Sequence, residues 1–290
     1  MRLCVFEATD GSRPGLVLGN EIADLRAATP ELSANPVDIL ASGPAGIAAI
    51  EKALKTAPRI PLAGAKLKAP LRRPGKILGI GLNYRDHAKE TGREPPTTQM
   101  WFNKQSSALH GPFDPVLMPA VSTALDYEVE LVVVIGKRGR HVPKERAHEI
   151  IAGYMTGCDY SVRDWQRATP TMIMGKGFDT HAPVGPWITT PDEAGDVSNM
   201  SLKCWVNDEL RQNGNTGEMI FDVPSQIEHL TKAFALEPGD LIFTGTPAGV
   251  GAAFTPPKFV KVGDRVRVEV ERLGTIEAVI AQETAQMQIG

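Results

Sequence analysis

The sequence has few cysteines and no long apolar run. Its 290 residues include only Cys4, Cys158 and Cys204, which are widely spaced and form no CxxC pair. We therefore expect no disulfide framework, and a reducing, cytoplasmic compartment fits this pattern best. The longest uninterrupted apolar run covers residues 131–135. A membrane-spanning helix needs about 20 such residues, so we expect no membrane partner.

Charge of one sign is also not concentrated anywhere in the chain. The formal net charge is -3, and no basic block or basic-aromatic stripe occurs. A nucleic-acid partner is therefore not expected. The N-terminus reaches Glu7 and Asp10 after only a few apolar residues, which is not the pattern of a signal peptide. These absences favour a protein that acts on a small molecule.

The distribution of apolar residues predicts a β-rich α+β protein with two parts. Residues 1–70 form a small N-terminal β/α domain, with strands at 3–6 and 15–18 and a helix over 36–55. A proline- and arginine-rich stretch at 70–75 marks the boundary. Residues 71–290 form the larger domain. We predict strands there at 77–81, 129–135, 202–206, 241–244 and 266–271, and helices over 144–152 and 224–235.

Three acidic residues alternate along the start of the most apolar predicted strand. Because successive strand side chains point to opposite faces, Asp126, Glu128 and Glu130 share one face. Carboxylates that enter a core repel one another and are costly to desolvate unless a cation neutralises them. Asp159, after another apolar run, can supply a third ligand, and such oxygen donors suit Mg²⁺ or Mn²⁺. The glutamate pair by itself also fits a solvated strand face.

A histidine–glutamate pair and a glycine-flanked lysine are the other chemical signals. His87 and Glu90 are three residues apart and face the same way on a helical turn, where the carboxylate raises the basicity of the imidazole. Such a pair can take a proton from water. Lys176, between two glycines, could approach a ligand and stabilise a developing negative charge. Both patterns also occur without function, as a surface contact on a helix and as a lysine in a loop.

Seven segments occur in an order that resembles the fumarylacetoacetate hydrolase family. The segments are GLNYRDHA (81–88), DYEVEL (126–131), GYMTGCD (153–159), RDWQ (163–166), GKGFD (175–179), PGD (238–240) and TGTPAGVG (244–251). The resemblance covers residues 75–280. It implies a mixed β-roll core, to which longer, bacterial-type members add a small N-terminal domain. It also implies a homodimer or a higher homo-oligomer.

The resemblance implies a role for each matched residue. The metal ligands it implies are Glu128, Glu130 and Asp159. The catalytic groups it implies are His87 and Glu90, on a lid that orders over the substrate, and Lys176. The positions that it suggests for substrate binding are Tyr84, Lys104, Arg163, Gln166 and Thr246. For Arg163, binding a substrate carboxylate and pairing with Asp164 or a metal-ligand glutamate both stay open.

The resemblance implies an enzyme that cleaves a carbon–carbon bond of an acylpyruvate or related 2,4-dioxo acid, including diketo-deoxy sugar acids. One Mg²⁺ or Mn²⁺ ion per subunit would chelate the 2-oxo acid, and water activated by His87 and Glu90 would release pyruvate and a carboxylic acid. Decarboxylation of an oxaloacetate-type 2-oxo acid is the first alternative. Ureidoglycolate lyase, hydratase and isomerase reactions are others within the family. A non-catalytic, metal-dependent ligand-binding protein is the alternative of another class.

Overall fold

The structure, a computed structural model, describes residues 1–284 and confirms the β-rich α+β class. Residues 285–290, at the end of the predicted larger domain, lie outside the described residues. The strands are β1 (Arg2–Ala8), β2 (Gly11–Leu18), β3 (Glu21–Asp24), β4 (Arg59–Pro61), β5 (Leu67–Lys68), β6 (Ile77–Gly81), β7 (Met100–Lys104), β8 (Leu109–His110), β9 (Val116–Met118), β10 (Leu125–Asp126), β11 (Val129–Ile135), β12 (Ile151–Cys158), β13 (Ser161–Val162), β14 (Ala182–Thr189), β15 (Ser201–Val206), β16 (Glu209–Asn215), β17 (Leu241–Phe243), β18 (Arg265–Val270) and β19 (Gly274–Gln282). The helices are α1 (Leu25–Ala28), α2 (Pro36–Ala41), α3 (Pro44–Leu54), α4 (Arg85–Glu90), α5 (Arg163–Ala168), α6 (Ile173–Lys176), α7 (Pro191–Ala194) and α8 (Val223–Ala233).

One long sheet runs through both predicted parts of the chain. Its strands lie in the order β4-β3-β2-β1-β14-β12-β11-β17-β6-β7, with β5 paired to β1 and β8 paired to β14. Most neighbours are antiparallel, but β17 runs parallel to β6, and β8 runs parallel to β14. A second sheet, β16-β15-β18-β19-β9, packs against β11 and β12. The two sheets enclose the main core, which is how a β-rich domain buries its apolar faces.

Strand β11 is buried on both faces, which explains its nearly continuous apolar sequence. All seven of its residues are buried. Leu131 and Val133 pack into the core shared with the second sheet, while Val132 and Val134 pack into another core on the opposite face. Glu130 is the polar interruption in this strand. A carboxylate at such a position needs a compensating partner.

The N-terminal residues form a small apolar cluster of their own but share the long sheet. Leu3 and Ile50 belong to this cluster, which lies between β1–β3 and the helices α1–α3. Strand β1 also pairs with β14, where Leu3 lies opposite Ile188. The sheet therefore continues across the predicted boundary near residue 70. The division into residues 1–70 and 71–290 stays a prediction.

Two helices differ from their predicted form. The pattern over 36–55 gives two helices, because Gly43 has a φ of +58° and Pro44, which has no N–H to donate, begins α3. The pattern over 144–152 gives a 3₁₀ helix, Lys144–Ile150, because Ile151 already pairs with Ile135 in the sheet. The helix predicted over 224–235 is confirmed as α8. Within residues 1–284, no helix is long and apolar enough to span a membrane.

Candidate active site

The paired ends of β11 and β12 bring three carboxylates together. Glu128 immediately precedes β11 and Asp159 immediately follows β12, and the Asp159 N–H donates to the Glu128 carbonyl at 2.8 Å. Glu130 lies two residue pairs further along, opposite Gly157. One carboxylate oxygen from each of the three acids lies within 4.8 Å of the other two, and all three side chains are buried. The antiparallel register thus assembles the cluster that strand alternation and charge burial predicted.

This cluster fits a hard divalent cation. Burial, reinforced by the negative charges of Asp159 and Glu128, raises the pKa of Glu130 well above its usual value. Glu130 accepts the N–H of Gly245 at 2.7 Å, but no basic side chain among the described residues forms an ion pair with it. A divalent ion would supply the missing positive charge. Because all three donors are carboxylates, the set suits Mg²⁺ or Mn²⁺ better than zinc.

Two buried lysines lie on either side of Asp159. Lys104 Nζ is 2.6 Å from Asp159 Oδ1, and Lys176 Nζ contacts Asp159 Oδ2. Lys176 Nζ is also 2.6 Å from Glu128 Oε2 and 4.7 Å from the centre of the Phe102 ring. Burial lowers the pKa of Lys104. Burial acts in the same direction on Lys176, but Asp159 and Glu128 outweigh it and raise the pKa, so Lys176 is held as a cation.

Arg163 connects the metal-ligand cluster to α5. Its Nε lies 2.8 Å from Asp126 Oδ2, its Nη2 lies 2.6 Å from Glu128 Oε1, and its Nη1 donates to Gln166 Oε1 at 2.9 Å. Although burial opposes ionisation, Arg163 and Lys176 hold the pKa of Glu128 well below its usual range. Of the two roles left open by the sequence, these contacts support the pairing role with a metal-ligand glutamate. Direct contact of Arg163 with a substrate stays a prediction.

The histidine–glutamate pair lies on α4, at the wall of the same site. His87 Nδ1 is 2.6 Å from Glu90 Oε1, and Glu90 Oε2 accepts the N–H of Gly249 at 2.8 Å. A carboxylate beside Nδ1 places the proton there and leaves a free lone pair on Nε2. The loop after β17 thus fixes the position of the Glu90 carboxylate, and Glu90 in turn fixes the orientation of the His87 ring. This geometry suits a general base.

One cavity of about 710 Å³ joins these groups. Its buried wall includes Glu128, Glu130 and Lys176, and His87 and Glu90 also line it. The two glutamates of the carboxylate cluster and the proposed base therefore face one cavity. A cavity of this volume can hold a small organic acid together with water.

The predicted substrate-binding residues differ in how they reach this cavity. Gln166 and Thr246 line it, and the Thr246 hydroxyl also donates to the Val129 carbonyl at 2.8 Å. Lys104 is absent from the lining and reaches the site through Asp159. Tyr84 is fully buried, and its hydroxyl has no hydrogen-bond partner in the part of the chain that the structure describes. Substrate contact by these residues stays a prediction.

Several residues of the site were not singled out as functional from the sequence. Asp126 shares a strand face with the glutamates, yet it accepts the N–H groups of Gly251 and Ala252 as well as Arg163 and therefore fixes a loop of the cavity wall. Arg93 and Arg167 line the cavity as well. Their only signal in the sequence is proximity to His87 and Gln166. A basic residue beside a catalytic segment is too common to be diagnostic.

Gly175 is required for packing rather than for ligand approach. A Cβ at this position would lie 2.2 Å from the backbone nitrogen of Gln166. Helices α5 and α6 can therefore meet only because the side chain is missing, and this contact positions Lys176 beside the carboxylates. His181 hydrogen-bonds to the Leu117 carbonyl at 2.8 Å, and burial lowers its pKa to about 3.

The chain matches a known family over most of its length. Residues 76–281 match the family described as fumarylacetoacetate (FAA) hydrolase, C-terminal. The chain belongs to the fumarylacetoacetate hydrolase family. The predicted family fold is confirmed by a solved fumarylacetoacetate hydrolase from Exiguobacterium antarcticum. It is 32% identical with a TM-score of 0.88, and the match covers 98% of this chain and 100% of that one.

Two further relatives in this family bear on chemistry. A mitochondrial oxaloacetate tautomerase of Bos taurus is 40% identical over 283 residues, which cover 95% of this chain and 90% of that protein. A solved maleylpyruvate hydrolase from Sphingobium sp. SYK-6, in complex with manganese (II) ion and pyruvate, is 36% identical. Its TM-score is 0.82, and the match covers 98% of this chain and 100% of that one. The mitochondrial relative does not support the predicted cytoplasmic location, which stays a prediction, as does the oligomeric state.

Proposed function

We propose that this chain is a metal-dependent enzyme that moves a proton at carbon 3 of a 2-oxo acid. Keto–enol interconversion is the first candidate reaction, with oxaloacetate as the first substrate to assay. One observation carries the proposal: an all-oxygen metal site, the cationic Lys176 and the His87–Glu90 pair line or adjoin one cavity. The oxaloacetate tautomerase from Bos taurus supports the choice of reaction.

The chemistry follows from where these groups lie. Held by Glu128, Glu130 and Asp159, a divalent ion would polarise the 2-oxo group and acidify the neighbouring C–H bond. His87 Nε2 takes the proton from carbon 3, the electron pair of the C–H bond forms the C2–C3 double bond, and the π pair of the carbonyl group moves onto the oxygen. Lys176 lies at the ligand cluster as a cation and stabilises that oxygen anion. Protonation of the oxygen gives the enol, and the reverse steps regenerate the ketone.

Hydrolysis of a carbon–carbon bond is the second candidate. The same His87–Glu90 pair can activate water, and cleavage then releases the pyruvate portion as its enolate. The maleylpyruvate hydrolase relative, whose structure contains manganese and pyruvate, specifically favours this candidate. A cavity of about 710 Å³ leaves room for a water molecule beside a small acid. Decarboxylation would also release pyruvate, but from oxaloacetate rather than from an acylpyruvate.

The test compares two reactions of the purified chain with Mg²⁺, with Mn²⁺ and after chelation. Loss of enol-oxaloacetate absorbance reports tautomerisation, and pyruvate release from acylpyruvates reports hydrolysis. We expect metal-dependent turnover, and we expect His87→Asn to lower kcat by about 10²-fold or more, the usual contribution of a general base. Glu94→Gln, at an exposed glutamate of the same lid segment, is the matched control. Full activity of His87→Asn, or turnover unaffected by chelation, would contradict the proposal.

A further inference from the structure

We propose that Arg93 and Arg167 bind a second carboxylate at the far end of the substrate, so that the enzyme selects 2-oxo dicarboxylic acids. This inference rests on the proposed function, because it concerns the other end of the same cavity. Both arginines line that cavity, together with the metal-ligand glutamates and the catalytic pair.

The residues that line the cavity are buried at one end and exposed at the other. Glu128 and Lys176 are 5% and 2% exposed, whereas Arg93 and Arg167 both belong to the exposed class. A 2-oxo acid held by its chelating end at the carboxylate cluster therefore extends its other end towards the arginines. An arginine fork matches a carboxylate in shape and charge.

Both arginines are attached to catalytic segments of the chain. The Arg93 N–H donates to the Ala88 carbonyl at 3.0 Å, which ties this residue to the helix that carries His87. Arg167 directly follows Gln166 on α5, whose first residue, Arg163, pairs with Glu128. The backbone therefore holds both side chains at the cavity without any contact from their guanidinium groups.

The two guanidinium groups lack protein partners. Within residues 1–284, neither forms a salt bridge or a side-chain hydrogen bond, whereas some exposed arginines do, such as Arg138 with Glu237 and Arg146 with Glu149. Side chains that line a cavity and have no acidic partner remain free to bind an anionic ligand. Their charge is available to the substrate rather than to the fold.

The charged groups at the buried end of the cavity can neutralise only one carboxylate of the substrate. The second, distal carboxylate must therefore be neutralised elsewhere. With a divalent ion bound, the ion and one lysine offset the three carboxylate ligands, and Arg163 is offset by Asp126. Because Glu90 also lines this cavity, at most one lysine charge remains for the single carboxylate next to the 2-oxo group. A second substrate carboxylate needs further positive charge, and Arg93 and Arg167 supply it at the exposed end.

Calorimetric titration with two acids that differ only in the distal group tests this assignment. The titrations contain Mn²⁺, and 2-oxoglutarate differs from 2-oxobutanoate by one carboxylate in place of a hydrogen on carbon 4. We expect the wild-type chain to bind 2-oxoglutarate at least about tenfold more tightly than 2-oxobutanoate. Arg93→Gln and Arg167→Gln should each raise the Kd of 2-oxoglutarate by about tenfold, which corresponds to the loss of one charge-assisted hydrogen bond. The Kd of 2-oxobutanoate should change by no more than about twofold.

Matched variants make the result specific. Arg59→Gln removes the same charge at an exposed position of β4, outside the cavity, and should leave both affinities unchanged. Arg93→Lys and Arg167→Lys keep the charge but lose the planar fork, so we expect intermediate Kd values.

The possible results separate this inference from the proposed function. Equal losses for both acids, or no loss for either, overturn the assignment while leaving the proposed function intact. An effect of one variant alone overturns the assignment of the other arginine. Failure of the wild-type chain to bind either acid in the presence of metal overturns the proposed function, and this inference with it.

Discussion

At the scale of single residues, Glu130 and Glu128 occupy opposite electrostatic environments although both are metal-ligand candidates. Because the pKa of Glu130 is raised, the metal-free native state keeps a proton on this side chain at a pH where the unfolded chain has released it. The stability of the native state therefore falls as pH rises from the unfolded pKa of Glu130 towards its raised native pKa. The lowered pKa of Glu128 has the opposite sign, because its contribution is present above the unfolded pKa and is lost as pH falls.

We therefore expect two glutamine variants to change metal-free stability in opposite directions. At pH 7 with a chelator, Glu130→Gln should raise the free energy of unfolding by roughly 1 kcal/mol, because it removes a buried carboxylate without a cationic partner. Glu128→Gln should lower it by about 3 kcal/mol, because it leaves Arg163 and Lys176 short of a partner. Urea denaturation with a chelator measures both values.

Adding Mn²⁺ provides the control for this pair. Both variants should lose most of the stabilisation that Mn²⁺ gives to the wild-type chain, since each removes one of three charged ligands. Equal destabilisation of the two metal-free variants would show that Glu130 has a cationic partner in solution.

Residue-level prediction succeeded where a local pattern carries the physics. Strand alternation and charge burial predicted the two glutamates, because both signals lie within a few residues of sequence. Pairing of Arg163 with a glutamate of the cluster was one of the roles left open, but its second partner, Asp126, could not be predicted in this way. Asp164 is adjacent in sequence but bonds to Ser122, whereas Asp126, which Arg163 contacts, is brought near only by the pairing of β10 with β13.

At the scale of elements, two acidic side chains of α4 accept hydrogen bonds from the loop after β17. Asp86 accepts the N–H groups of His87 at 2.7 Å and Ala248 at 3.2 Å, and Glu90 accepts that of Gly249 at 2.8 Å. The lid predicted from the sequence is therefore held against the cavity by hydrogen bonds to one loop. Its mobility should depend on these contacts.

We expect Asp86→Ala to loosen this lid without unfolding the protein. Losing two hydrogen bonds to a half-buried carboxylate should raise hydrogen exchange of residues 85–96 by about tenfold or more, which corresponds to about 1.4 kcal/mol. Mass spectrometry of exchanged peptides measures this. Glu94→Ala, at an exposed position of the same segment, should leave exchange unchanged. Unchanged exchange in Asp86→Ala would mean that the remaining contacts, such as Glu90 with Gly249 and Arg85 with Met219, hold this segment without Asp86.

Element prediction from apolar periodicity was limited by a local break in one case and by pairing of distant strands in the other. The apolar pattern over 36–55 continues across Gly43, but the left-handed backbone there and the proline that follows divide it into α2 and α3. The pattern over 144–152 suits a helix, yet Ile151 contributes to a strand because its partner Ile135 lies in the most buried strand of the sheet. Periodicity alone does not contain this information.

At the scale of the whole molecule, the pairing of β1 with β14 decides whether the N-terminal residues unfold alone. Arg2 and Leu3 lie opposite Thr189 and Ile188, and β14 in turn pairs with β12, the strand that ends just before Asp159. A continuous set of backbone hydrogen bonds thus connects the N-terminal cluster with the metal-ligand strands. We infer that the two parts unfold in one cooperative transition.

Leu3→Ala tests this coupling because Leu3 is fully buried where β1 pairs with β14. Removing its side chain should cost about 2–5 kcal/mol, the range for such truncations in a packed core. Because of the shared sheet, residues 1–70 and the metal-ligand strands should lose hydrogen-exchange protection at the same lowered midpoint in urea. Leu18→Ala, at a leucine that is 39% exposed, should change the midpoint little. A contrary result would be that residues 1–70 lose protection in Leu3→Ala while the metal-ligand strands keep their wild-type midpoint. In that case the β1–β14 pairing does not couple the two parts, and the N-terminal part is an independent domain.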